Sequence, residues 1–227
     1  MEDFDWLIKN SSAMSKNDLV AILSSDERAE QFCQRLVHEM RRQDANSSET
    51  RVLETLELIN ALLDLVPENC NWRWFFIDFL VHIDIVEPLL IKLENVASIE
   101  LQRQVLDLLA SLSDHPEVTR KIFHPDNFGV TIRVKPMLNL LLLMRGNPSD
   151  ELILSCITYV LFQYCLFCPQ NASRVLIGTP NCLELLEWVA YCGNEHHPDT
   201  WIGPTVNEIF KRLVCHMHKT LEATLLA

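Results

Sequence analysis

Residues 56–69 read Leu56-Glu57-Leu58-Ile59-Asn60-Ala61-Leu62-Leu63-Asp64-Leu65-Val66-Pro67-Glu68-Asn69, and the reading of this stretch decides the fold. Together with Val52, the residues Leu56, Ile59, Leu63 and Val66 recur at four-three-four-three spacing. That spacing lines one face of an α-helix and scatters over both faces of a strand. The helix then meets Pro67, which has no backbone N–H to give, and the polar pair Glu68-Asn69.

The pattern occurs twice more, as Val105-Leu106-Asp107-Leu108-Leu109-Ala110-Ser111-Leu112 running to Pro116-Glu117, and as Val160-Leu161-Phe162-Gln163-Tyr164-Cys165-Leu166-Phe167-Cys168 running to Pro169-Gln170. Pro67, Pro116 and Pro169 stand 49 and 53 residues apart (116 − 67 and 169 − 116). A leucine-rich helix with its own proline recurs between them, as in Glu87-Pro88-Leu89-Leu90 and Lys135-Pro136-Met137-Leu138. Self-similarity at such a period marks stacked helical units that bury their apolar faces on one another. Sustained apolar–polar alternation is absent from the sequence. Helix starts are signalled by Ser24 with Glu27, Asn46 with Glu49, Asn147-Pro148 and Thr179-Pro180. Gly146, Gly178 and Gly193 read as helix-ending glycines.

These segments resemble the armadillo-type helical repeat, whose unit has a short first helix, a second helix and a long third helix. The long helix there reads roughly Ala-Leu-x-Asn-Leu before an Asn-Pro-Glu-Asn turn. The resemblance covers residues 16–216 as about four repeats. It implies an all-α, right-handed α-solenoid in a single domain over residues 1–227. Residues 1–15, with Phe4, Trp6, Leu7 and Ile8, form an N-terminal anchor or cap, and residues 217–227 a frayed tail. The periods exceed the ~40–47 residues of such repeats, so extra length is assigned to residues 71–79 and 124–130.

The resemblance also implies a function. Third helices of such arrays line a concave groove that takes an extended peptide or a partner helix, and a ladder of asparagines there holds the peptide backbone. The matching positions are Asn60, Ser111 and Gln163, with Asp64 and Gln104 beside them. Only one of the three ladder positions is asparagine, a departure from the family that still keeps polar side chains. The expectation is a non-catalytic interaction scaffold or adaptor. Apolar pockets supply affinity, and acidic rims select a basic or amphipathic segment of a partner protein.

Composition narrows the classes. The formal charge is −12, from 31 acidic and 19 basic residues, which disfavours nucleic acid and anionic membranes as partners. Residues 51–100 hold nine carboxylates against three cations. The longest apolar run, 137–144, is too short to span a bilayer. No signal peptide is read at Met1-Glu2-Asp3-Phe4-Asp5. Most of the eight cysteines fall in apolar helical runs, which places the protein in the cytoplasm, the nucleus or both. Glycine-rich phosphate loops, nucleophile elbows and His-Glu-x-x-His are absent, so an enzyme is not expected and no cofactor is assigned. A second reading is a structural zinc or redox site on Cys165-x-x-Cys168 with Cys192 and His196. A third is assembly through the solenoid ends. In the cluster Trp72-Arg73-Trp74-Phe75-Phe76, the two tryptophans are the candidate hot-spot aromatics if exposed, and inter-repeat core if not.

Overall fold

The computed structural model describes residues 26–41, 49–65, 71–95, 98–123 and 150–225. Among the described residues the chain is all-helical: ten helices and no strand. None of these helices is long and apolar enough to cross a membrane. The chain divides into two compact units, Met1–His115 and Pro116–Ala227.

The first unit contains α1 (Asp26–Arg41), α2 (Glu49–Leu65), α3 (Asn71–His82), α4 (Val86–Asn95) and α5 (Ile99–Leu112). The four-three pattern behaves as the sequence predicts: Val52, Leu56, Ile59 and Leu63 of α2 are all buried. Residues 71–79, expected to carry extra length, form most of α3. Ser98 starts α5 by accepting a hydrogen bond from the Leu101 amide at 3.1 Å through Oγ. Between α3 and α4 the chain turns at Asp84, whose φ of 63° lies in the left-handed region that aspartate tolerates. The Arg41 guanidinium holds this turn, donating to the carbonyls of Ile83 at 3.2 Å and Asp84 at 3.3 Å. Glu39 and Arg51 tie α1 to α2 through a 2.8 Å ion pair. The 2.7 Å contact of His115 Nε2 with Asp78 joins α3 to the turn after α5.

In packing, α1 contacts α2, α3 and α4, and both α2 and α4 lie against α5. The Asn60 amide meets Gln104, and one turn further on Asp64 bears on Asp107. The residue numbers rise together along both helices, so α2 and α5 run in the same direction. Asn60 and Gln104 are 44 residues apart.

The second unit contains α6 (Pro116–Phe123), α7 (Glu151–Phe167), α8 (Pro169–Gly178), α9 (Cys182–Glu195) and α10 (Ile202–Leu225). Asp150 caps α7 through Oδ1 on the Ile153 amide at 3.3 Å, and Pro169 opens α8 at a position that needs no N–H. The long helices α7 and α10 pack together, as do α6 with α7 and α9 with α10. Three sequence signals shift. The start signalled by Thr179-Pro180 falls two residues later, at Cys182. Gly193 ends no helix; it lies inside α9, buried where α9 meets Gly203 of α10. Residues 217–225, assigned to a frayed tail, continue α10 as helix. The N-terminal anchor and the 124–130 segment lie outside the described residues.

Candidate functional site

The expected groove positions fall on two different units. Asn60 and Asp64 on α2, and Gln104 and Ser111 on α5, belong to the first; Gln163 on α7 belongs to the second. The structure brings Asn60, Asp64 and Gln104 together, and Ser111 lies two helical turns beyond Gln104 on α5.

Asn60 is 9% exposed. Its Nδ2 donates to Gln104 Oε1 at 3.0 Å and to the Gln104 carbonyl at 3.4 Å. Gln104 Nε2 in turn donates to Glu100 at 3.4 Å, and Arg103 pairs with the same carboxylate at 3.3 Å. The Asn60 Oδ1 is shut away from solvent and accepts no hydrogen bond. Asn60 therefore fastens α2 to α5, in register, from below the surface. Gln163 is equally deep, at 7% exposure.

Carboxylates are prominent on the solvent side of this helix pair, beside Arg51, Ile99 and Arg103. Glu57 and Asp64 are exposed on α2, seven residues apart; Glu100, exposed, and Asp107, half-buried, stand at the same spacing on α5, and Asp114 lies in the turn after it. Burial pushes the Asp107 carboxyl above the usual carboxylate range, and the charge of Asp64 across the helix pair pushes it further. A folded pKa raised above the unfolded one means that the native state binds the proton more tightly. Stability is thus lost as pH rises through the raised folded pKa and regained on acidification. Asp107→Asn removes that cost: its melting temperature exceeds wild type at pH 7, and the gap closes at a pH below the range of an ordinary aspartate. Melting curves at the two pH values check this, and a constant gap contradicts it.

Asp107, Glu100 and Glu57 escaped the sequence reading, which looked for amides at ladder positions. The signal that finds them is the seven-residue repetition of carboxylates on a helix otherwise apolar on its other side.

The contacts that α7 makes in the second unit are aromatic. Tyr159 of α7 stands edge-on to Trp201, with ring centroids 5.6 Å apart. The Arg212 guanidinium of α10 lies over the Phe162 ring at 5.4 Å. Leu152 and Leu166, at either end of the same α7 face, are exposed. No family model matches the sequence, no curated protein matches it, and no solved structure matches the fold. The site is therefore read from its own chemistry.

Of the candidate hot-spot aromatics, Trp74 is exposed on α3 while Phe76 beneath it is core; the side chain of Trp72 lies outside the described residues. A cavity of about 280 Å³ opens elsewhere in the first unit, lined by Met40, Arg41, Glu87, Pro88, Ile91 and Lys92.

The thiols are placed for packing. Among the described residues no group of three or more His, Cys, Asp and Glu side chains is positioned to hold a metal ion. Cys165 and Cys192 are buried, Cys168 is half-buried at the end of α7, and His196 is exposed with its ring edge-on to Tyr191 at 6.0 Å. Burial pushes Cys33 and Cys165 up to about 12 and Cys182 up to about 11, so almost none of each is thiolate at neutral pH. Cys215 alone among the described cysteines is exposed. Native alkylation at pH 7.5, mapped by peptide mass, modifies Cys215 at least about a hundredfold faster than Cys33, Cys165 or Cys182. Comparable labelling of Cys165 would show that the end of α7 opens readily.

Proposed function

We propose that the protein is a non-catalytic interaction scaffold, an armadillo-like α-solenoid that binds a basic segment of a partner protein along the α2/α5 face. The observation that carries this reading is the acidic surface shared by two parallel helices. Burial raises the Asp107 pKa and the charge of Asp64 across the pair adds to it; a lysine or arginine side chain set beside the two carboxylates offsets that second, smaller effect. The Asn60–Gln104 contact beneath keeps the two rows of carboxylates in register. A ligand thus meets a preformed surface and does not bear the cost of ordering it.

The solenoid reading draws support from both units, taken one at a time. Within the first, α2 and α5 run parallel with a 44-residue offset between contacting amides, inside the ~40–47-residue range of armadillo and HEAT repeats. Within the second, α7 likewise packs on α10, the third helix after it, although the contacting Phe162 and Arg212 are 50 residues apart (212 − 162). In each, a long helix packs on the third helix after it or its counterpart, which is how a three-helix repeat stacks. Buried thiols at Cys33, Cys165, Cys182 and Cys192 fit residence in a reducing compartment, cytoplasm or nucleus.

The test is a selection of displayed random peptides on the full chain at low salt. Enrichment of lysine- and arginine-bearing sequences, competed by raising ionic strength, supports the reading. Enrichment without basic residues, or none, overturns it.

A further inference from the structure

The cavity between α1 and α4 has no part in the scaffold reading. Its walls come from two places in the chain: Met40 and Arg41 at the end of α1, and Glu87, Pro88, Ile91 and Lys92 along α4. Helical period puts the α4 residues on one strip, since 87 and 91, like 88 and 92, stand about one turn apart. α1 packs against α4, so the end of one helix faces that strip. The volume is about 280 Å³, just under the ~300–1,000 Å³ of common ligand sites. A small molecule fills it, and a helix has no room.

The walls are of two kinds. Met40 is 1% exposed and, with Pro88 and Ile91, gives an apolar floor. Around that floor stand Arg41, Lys92 and Glu87. Arg41 donates from Nη2 to the carbonyls of Ile83 and Asp84, and the same nitrogen lies 3.9 Å from the Asp84 carboxylate. A guanidinium carries its N–H donors in a rigid fork, so anchoring Nη2 holds the group in place and leaves Nε and Nη1 for a ligand. Lys92 has an interaction of its own. Glu87 lines the same cavity and makes an ion pair with neither cation.

Opposite charges that share one small cavity without neutralising each other select a ligand that carries both. A lone carboxylate meets Arg41 but also faces Glu87. A lone amine meets Glu87 but faces Arg41, and like charges set together cost affinity. An ammonium and a carboxylate on one carbon satisfy both groups, and a side chain on that carbon covers the apolar floor.

We propose that the cavity between α1 and α4 binds a free α-amino acid with an apolar side chain. Arg41 takes the carboxylate, Glu87 the ammonium, and Met40, Pro88 and Ile91 the side chain. The site is separate from the α2/α5 face, and either can fail without the other.

The experiment titrates the full chain with leucine and two singly charged counterparts, followed by ligand-observed NMR. Isocaproate lacks the ammonium, and isoamylamine lacks the carboxylate. Leucine binds at least about tenfold more tightly than either, and at least about tenfold more tightly than glycine, which has both charges and no side chain. Glu87→Gln, at an exposed position, weakens leucine by about tenfold and leaves isocaproate unchanged or tighter, a split that loss of folding does not produce. Ile91→Trp fills the cavity and abolishes leucine binding, with a circular-dichroism melt to report its fold. Leucine binding that is absent at millimolar concentration, no tighter than isocaproate, or unchanged in Glu87→Gln overturns the proposal.

Discussion

Replacing Glu57 and Asp64 by lysine weakens binding of a selected basic peptide by about a hundredfold, the range found when like charges are juxtaposed across an interface. Both side chains are exposed, so the substitutions leave the buried side of α2 untouched and the melting temperature close to wild type. The effect is electrostatic at its root, and the wild-type affinity therefore falls steeply with salt while the residual affinity of the variant does not. Fluorescence anisotropy at two ionic strengths separates these cases. A variant that binds within twofold of wild type removes the acidic face from consideration. Substitution at Asn60 or Gln163 is the wrong probe, although the family resemblance points to both. Each is more than nine-tenths buried, so an arginine there perturbs the packing of α2 or α7 before any ligand is present.

Gly193→Ala lowers the melting temperature of the second unit, and Gly193→Val lowers it more. A Cβ built at Gly193 would stand 2.6 Å from the backbone nitrogen of Gly203 and 3.0 Å from Ile202 Cγ2. The first of these is main chain and cannot rotate aside, so α9 and α10 must separate. Alanine gains up to about 1 kcal/mol of helix propensity over glycine, against about 1–3 kcal/mol for overpacking a tight contact. The clash wins narrowly for alanine and clearly for valine, whose helix propensity gives little back. Each kcal/mol corresponds to roughly 4–8 °C for a unit of this size. Gly203→Ala is milder, because its Cβ meets the flexible Asn194 side chain. Gly178→Ala meets nothing within 4 Å and is neutral or slightly stabilising. Thermal melts of the four variants check the order. A Gly193→Ala protein as stable as Gly178→Ala would show that the α9–α10 contact has slack.

Much of the helical content was legible because apolar spacing and capping chemistry are local. Val52, Leu56, Ile59 and Leu63 declare a buried stripe within one helix, whatever that helix packs against. Pro116 and Pro169, read in the sequence as the ends of long helices, also open the next ones, where the first position needs no N–H. Gly193 was misread as a stop because a glycine that ends a helix and one that admits a crossing helix look identical along the chain. The difference is Gly203, ten residues away in sequence and in contact in space.

The candidate site divides in the same way. By itself the sequence determined which residues of α2 and α5 are polar, and that carboxylates dominate residues 51–100, since these follow from residue identity and helical period. Only the tertiary structure decided that Asn60 spends its amide on Gln104, that Asp64 and Asp107 face one another, and that Val214 and Met217 of α10 remain in water. Burial and repulsion are properties of pairs of helices. The period of one helix fixes which side is apolar but not which neighbour covers it or at what register, and that neighbour determines whether a polar side chain binds a partner or holds the fold.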